Sequence, residues 1–205
     1  MPPPSQAGAT FANSIKDAEV LLEHFGSLPQ NLHHRSEVLK RAALVMALTA
    51  WETYVEDRVR EEVERRWGSP ARGNPAGRLL LGKLNEELRG FNTPDAGKTK
   101  KLFLDYVGVD VTAGWDVQSQ SVEKNAIRLT ALVKLRGEAV HRAKGGVPGA
   151  PSPPHLVKKP ALGKHISFLR ELVKATDAAL AGPVAEAGMS THLDVLRDPT
   201  AQDAA

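Results

Sequence analysis

The chain of 205 residues contains no cysteine. Disulfides, thiol nucleophiles, iron–sulfur clusters and cysteine-based zinc sites are therefore excluded together. The same absence fits a reducing compartment, and a cytoplasmic location is the expectation. There is no apolar run of about eighteen residues, so no transmembrane helix and no membrane partner are expected. The opening stretch, Met1-Pro2-Pro3-Pro4-Ser5-Gln6, lacks the basic and apolar regions of a secretory signal. HExxH, Walker A and GxSxG motifs are missing. The Gly145-Gly146 pair is followed closely by Pro148, not opened by a strand and closed by a helix, so it does not read as a dinucleotide fingerprint. No metal-ligand cluster stands out among the scattered histidines, and the expectation is a protein without cofactor or metal. Internal repeats and convincing strand pairs are absent too.

What remains is globular in composition, with 41% hydrophobic and 25% charged residues. Lys plus Arg number 27 and Asp plus Glu 24, a formal +3. From Gly182 onward there is one basic residue, Arg197, against Glu186, Asp194, Asp198 and Asp203. The rest keeps 26 basic and 20 acidic residues, a formal +6. A mildly basic body tolerates nucleic acid without requiring it.

Apolar residues recur at helical spacing almost throughout. Phe11, Ile15, Ala18, Leu22 and Phe25 form one face of a first helix ending near Gly26. A long second helix runs from about Ser36 to Trp67, with Asn31 and Ser36 as candidate caps. Its first half, Val38 to Ala50, is apolar nearly all round, as a central helix would be. Its second half, Glu52 to Arg66, is heavily charged and is expected to face solvent or a partner. Residues 68–78 read as a Gly/Pro loop. Shorter helices follow at about Leu79 to Arg89 and Ala96 to Val107, the latter started by Thr93-Pro94 and closed by Gly108. Val109 to Gly114 reads as an extended turn. A long helix covers about Val122 to Ala143, and Gly145 to Pro154 breaks it. The last helix spans about Leu162 to Ala181, with Leu162, Ile166, Leu169, Val173, Thr176 and Leu180 on one face. The expected fold is all-α, an antiparallel helical bundle with a short-helix insertion between the long helices. Residues 1–181 form a single helical domain in this reading, and 182–205 an acidic, flexible tail.

Two charged residues interrupt apolar stripes. At about 100° per residue, Leu44, Val45, Leu48, Trp51, Val55, Val59 and Val63 share a sector of the second helix, and Glu52 lies inside it. In the Val122 helix, Val122, Leu129, Leu132, Val133 and Val140 share a stripe that contains Arg136. An unpaired buried charge costs several kcal/mol, of the order of ~5, so each needs a partner. Glu52 is the first choice for Arg136 and Glu138 the second. Trp51 and Tyr54 read as packing residues, not as a base-stacking platform.

His141 follows Arg136 by five positions. In a straight helix the two diverge by about 140° and rise about 7.5 Å, so they do not touch but can line one broad cleft. Histidine moves its proton near neutral pH, and arginine offers a fork suited to phosphate. Together they are a minimal kit for cutting RNA without metal: the histidine handles the proton of the 2′-hydroxyl or of the leaving oxygen, and the arginine stabilises the phosphorane. A structural arginine and a solvated histidine fit the same spacing.

The segment Leu132-Val-Lys-Leu-Arg136-Gly-Glu-Ala-Val-His141 resembles the Arg-x4-6-His motif of the HEPN superfamily. The run from Ala47 to Asp57, with Trp51-Glu52-Thr53-Tyr54, resembles the first core helix of that superfamily. Phe91-Asn-Thr-Pro94, then Leu102-Phe-Leu-Asp-Tyr-Val-Gly-Val109 and Trp115, are similar to its RiboL-PSP-HEPN branch. The resemblance runs from about residue 35 to 181. It implies a metal-independent endoribonuclease in defence or RNA processing, acting as a homodimer whose two motifs share one RNA-holding cleft and leaving a cyclic or 3′ phosphate and a 5′-hydroxyl. Arg136 and His141 are then the catalytic pair, Glu52 and Glu138 supporting residues, and Lys134, Arg142 and Lys144 candidates to hold RNA. Two positions depart from the pattern: Gly137 replaces the usual polar residue after the arginine, and Arg142 replaces the glycine after the histidine. The alternative is a non-catalytic HEPN dimer that binds RNA, nucleotide or a protein partner.

Overall fold

The computed structural model describes residues 5–67, 74–142 and 158–181, without the side chains of His34, Arg35, His141 and Arg142. The acidic tail and the Gly145 to Pro154 break lie outside the described residues. The described residues form six α-helices and no strand: α1 Gln6–Ser27, α2 Glu37–Trp67, α3 Pro75–Leu88, α4 Ala96–Val107, α5 Val122–Arg142 and α6 Lys159–Ala181, with short 3-10 turns at Gln30–Arg35 and Val111–Gly114. Among them no helix is long and apolar enough to cross a membrane.

Helix α2 is the axis on which the others pack. The start of α1 lies against the end of α2, where Glu61 accepts the backbone N–H groups of Gln6 and Ala7. That carboxylate supplies the negative charge that the first turn of α1 lacks. At the other end, Lys40 lies over the Phe25 ring at 4.8 Å. The two helices are therefore antiparallel. Ser5 caps α1 through the Gly8 N–H and donates to Asp177 near the end of α6, so α1 and α6 are antiparallel as well. The faces expected of α1 and α6 are buried, except that Leu22 is half-exposed.

The core centres on Trp51, Tyr54 and Trp115, all essentially unexposed. Trp51 meets Trp115 edge-on with ring centroids 5.9 Å apart. Every polar tip in this cluster has a partner. The Trp51 indole donates to the Pro94 carbonyl, the Trp115 indole to Thr176 Oγ1, and the Tyr54 hydroxyl to Asp177 and the Val173 carbonyl. Burial and the Asp177 charge push the Tyr54 hydroxyl well above its ordinary pKa.

Several boundaries differ from the sequence reading for identifiable reasons. Helix α3 begins inside the stretch read as loop, because Asn74 caps it through the Ala76 and Gly77 N–H groups and Pro75 takes the first turn. Helix α4 is capped by Asp95, which accepts from the Lys98 N–H, and not by Thr93. Thr93 instead takes a left-handed φ of 52°. Gly108 closes α4 as expected, at φ 71°. Val140 is exposed, and the stripe of α5 is completed by Ala139.

The larger correction concerns the charged half of α2. It is not a solvated projection, since Val55, Val59, Val63, Arg58 and Glu62 are all buried. Glu62 has no exposed surface and receives Arg58, Arg65 and Arg66 on its two oxygens. Arg58 also binds Asp177 of α6 at 2.7 Å, and Arg66 reaches the Val107 carbonyl that ends α4. Burial alone would raise the Glu62 pKa, but the hydrogen bonds from Arg65 and Arg66 and the charge of Arg58 outweigh it and hold it at about 2.

Against an ordinary value of 4.5, that depression corresponds to about 3 kcal/mol of stability. Because the folded pKa is the lower one, the contribution is complete above pH 4.5 and is lost as pH falls towards about 2. Urea unfolding of the parent and of Glu62→Gln should show a gap that is full at neutral pH and narrows across that window. A gap of constant size would contradict the assignment.

Candidate functional site

Arg136 on α5 and Glu52 on α2 each interrupt an apolar stripe, and the fold brings them together. Arg136 Nη1 donates to Glu52 Oε2 at 3.0 Å. The pair sits at a margin of the core, its side chains 21% and 15% exposed. This is where a cation can be held in place and still be reached from outside. Its other N–H groups have no partner among the described residues.

The second oxygen of Glu52 is also engaged, accepting the Thr93 N–H at 3.2 Å. One residue back on α2, the Trp51 indole holds the Pro94 carbonyl. Two successive residues of α2 therefore clamp the loop before α4, and the clamp coincides with the left-handed turn at Thr93. That conformation is costly for a β-branched residue that precedes a proline, about 1–3 kcal/mol. The loop is thus fixed beside the ion pair by bonds to the same helix that supplies the carboxylate.

Sequence reasoning missed Glu56, one turn beyond Glu52 on α2 and likewise half-buried. Burial and then the neighbouring Glu52 charge push its carboxyl upward, with Arg60 partly offsetting them. The signal was available, since positions four apart share a helix face, but it was hidden in the run of charges from Glu52 to Arg66.

The other expected residues are placed as follows. Glu138 is half-buried on α5, and Lys134 is exposed on the same helix. His141 and Arg142 belong to the last turn of α5, with side chains outside the described residues, as is the whole of Lys144. At Gly137 an added Cβ would meet nothing within 4 Å. The glycine is therefore not demanded by packing, and it costs the helix about 1 kcal/mol relative to alanine. Trp51 and Tyr54 are buried, which leaves them no base-stacking surface. Among the described residues no group of three or more His, Asp or Glu side chains could hold a metal ion.

A bundle with an arginine–glutamate pair at its margin and the Arg-x4-His segment on one long helix has the anatomy of a HEPN-type domain. The chain belongs to the RiboL-PSP-HEPN family, whose model matches residues 11–182. The match takes in α1 from Phe11 onward, the other five helices whole, and every candidate residue named above. No curated protein and no solved structure matches the chain.

The pair should be energetically coupled. A double-mutant cycle of Glu52→Ala and Arg136→Ala, followed by urea unfolding, is expected to return a coupling of about 1 kcal/mol or more. Glu52→Gln, which keeps an acceptor for the Thr93 N–H, should cost less than Glu52→Ala. Strict additivity would mean that the ion pair contributes nothing.

Proposed function

We propose that the chain is a metal-independent endoribonuclease that works as a homodimer on single-stranded RNA. The observation that carries this reading is the half-exposed Arg136, which Glu52 of α2 fixes and which shares α5 with His141. In this mechanism the RNA 2′-oxygen attacks phosphorus while His141 takes its proton. The bond to the 5′-oxygen breaks, a 2′,3′-cyclic phosphate forms, the departing 5′-oxygen takes a proton from solvent water, and His141 returns its own proton to solvent. Arg136 turns its unpaired N–H groups to the phosphorane and stabilises the added charge, Glu52 holds the guanidinium in position, and Glu138 supports the pair. Lys134, Arg142 and Lys144 supply phosphate contacts along the cleft. A second copy, related by a two-fold axis and packed on α5, contributes the facing motif.

RNA cleavage is expected to persist in EDTA and to fall by at least about a hundredfold in Arg136→Ala and in His141→Ala, with circular dichroism unchanged. DNA should resist because it lacks the 2′-hydroxyl nucleophile, and activity should fall as salt rises. Light scattering should give a dimer. Cleavage abolished by EDTA, or a monomer at high concentration, would sink the mechanism.

Gly137 supports a second reading, a dimer that binds RNA, nucleotide or a protein partner without cutting. The polar residue that follows the arginine in the family pattern is missing here, and the space beside Gly137 is open. Gly137→Asn fits that space and restores the polar group. An increase in cleavage rate on this substitution supports the ribonuclease, whereas RNA bound but left uncut by both the parent and Gly137→Asn supports the binding reading.

A further inference from the structure

A second cationic feature lies on α5, eight positions before Arg136 and about 12 Å away along the helix axis. An open groove of about 740 Å³ separates the start of α5 and the turn before it from the first turns of α6. Gln118, Gln120, Arg128, Lys164 and Ser167 line it together with Pro160 and Gly163. Among the described residues no carboxylate lines it. The volume is typical of ligand sites, and among the described side chains that line it two, Arg128 and Lys164, carry a positive charge.

Arg128 is the fixed point of this groove. Its guanidinium stacks on the Phe168 ring, 4.0 Å from the centroid. Nη1 donates to Gln118 Oε1 at 2.8 Å and Nη2 to the Lys164 carbonyl at 3.0 Å. All three partners are neutral, so the charge is oriented without being cancelled, in contrast to Arg136. Desolvation lowers the Arg128 pKa, and the guanidinium remains charged at any physiological pH. Lys164 adds a second, exposed cation on the opposite wall.

The turn that completes the groove is built at a cost. Gln118 and Ser119 both adopt left-handed φ values, 53° and 56°, a conformation disfavoured by about 1–2 kcal/mol per residue outside glycine. The turn is held by Asn125, which is fully buried and whose Nδ2 donates to the carbonyls of Trp115, Val117 and Gln120. A strained turn, over-determined by a buried amide, presents the two glutamines beside an uncancelled arginine. Strain of this kind collects where a surface is shaped for a ligand.

We propose that this groove holds the phosphodiester backbone of single-stranded RNA outside the Arg136 cleft, with Arg128 and Lys164 contacting phosphates and Gln118, Gln120 and Ser167 bonding sugar or phosphate oxygens. The assignment rests on the ribonuclease reading for the direction of the strand, and on the groove alone for the ligand class. An open groove with two cations and no aromatic side chain in its lining suits a backbone, because phosphate contacts are sequence-independent and require no enclosure.

The test uses the full chain and a fluorescent 2′-O-methyl oligonucleotide, which cannot be cut because the nucleophile is blocked. Anisotropy titrations should show Arg128→Gln and Lys164→Glu each weakening binding by about tenfold. The slope of log affinity against log salt should shrink by about 0.7 for each phosphate that is no longer neutralised. Lys164→Glu changes an exposed side chain and keeps the carbonyl that Arg128 uses, so it tests the groove even if Arg128→Gln disturbs folding. Affinities and slopes equal to the parent in both variants would overturn the proposal. A mononucleotide that binds the parent as tightly as the oligonucleotide would assign the groove to free nucleotide and overturn it too. Cleavage of unmodified RNA is read separately. Weakened binding in the variants alongside uncut RNA upholds the groove and removes the ribonuclease, whereas cleavage with unaffected binding removes the groove alone.

Discussion

The fold depends on one constraint: α2 runs through the centre of the bundle while carrying charges along most of its length, and each buried charge needs a counter-ion. The partners come from different elements, and this ties the bundle together. Glu61 accepts the first amides of α1, Arg58 binds Asp177 of α6, Glu52 binds Arg136 of α5, and Arg66 reaches the end of α4. Hydrophobic burial brings the helices together but specifies their rotation and register weakly, because apolar contact is non-directional. These polar contacts are directional, and each fixes one neighbour against α2, while Glu62 holds three arginines of α2 itself in place. Glu62, with three arginines on two oxygens, is the most demanding of them, because removing its charge leaves three cations to be solvated at once.

This constraint also explains what could be read from the sequence. The apolar stripes of α1, α2 and α6 were legible because 3.6-residue periodicity is a local property. The Glu52–Arg136 pair was legible because each residue interrupts a stripe, and an interruption implies a partner. The burial of Arg58 and Glu62 was not legible, since a run of charges looks alike whether it faces water or a ring of counter-ions. What distinguishes the two cases is Asp177, 119 positions away from Arg58. The start of α4 was read correctly, but its cap was misread, and for a different reason. Thr93-Pro94 and Asp95 are both good start signals, and the choice between them is made by Glu52, whose bond to the Thr93 N–H pulls that residue out of the capping position. Asn125 was missed because its three acceptors are backbone carbonyls of the preceding turn, which no residue pattern announces.

Arg128 and Arg136 of α5 show how the same side chain is prepared for different electrostatic tasks. Arg136 is neutralised by a carboxylate and Arg128 is not. In the proposed chemistry a neutralised arginine answers mainly to added charge. It gains little from a ground-state phosphate diester, whose single charge must compete with Glu52, and more from the dianionic phosphorane, so its stabilisation falls where charge develops. An uncancelled arginine attracts the resting diester equally well at every step, which is the behaviour of a residue that binds.

The placement of Glu52 completes that division. Its two oxygens have different partners, Oε2 the Arg136 guanidinium and Oε1 the Thr93 amide. A phosphate that draws Arg136 toward itself therefore leaves the carboxylate tethered to a loop that the Trp51 indole also holds. In the proposed chemistry the arginine moves and the carboxylate stays. The pair can loosen on the cleft side without unlocking the strained turn at Thr93, and the cost of that turn is met by bonds the reaction does not touch. A carboxylate bound only to Arg136 would follow its partner or reorient into water, and the guanidinium would lose the fixed reference that sets its aim.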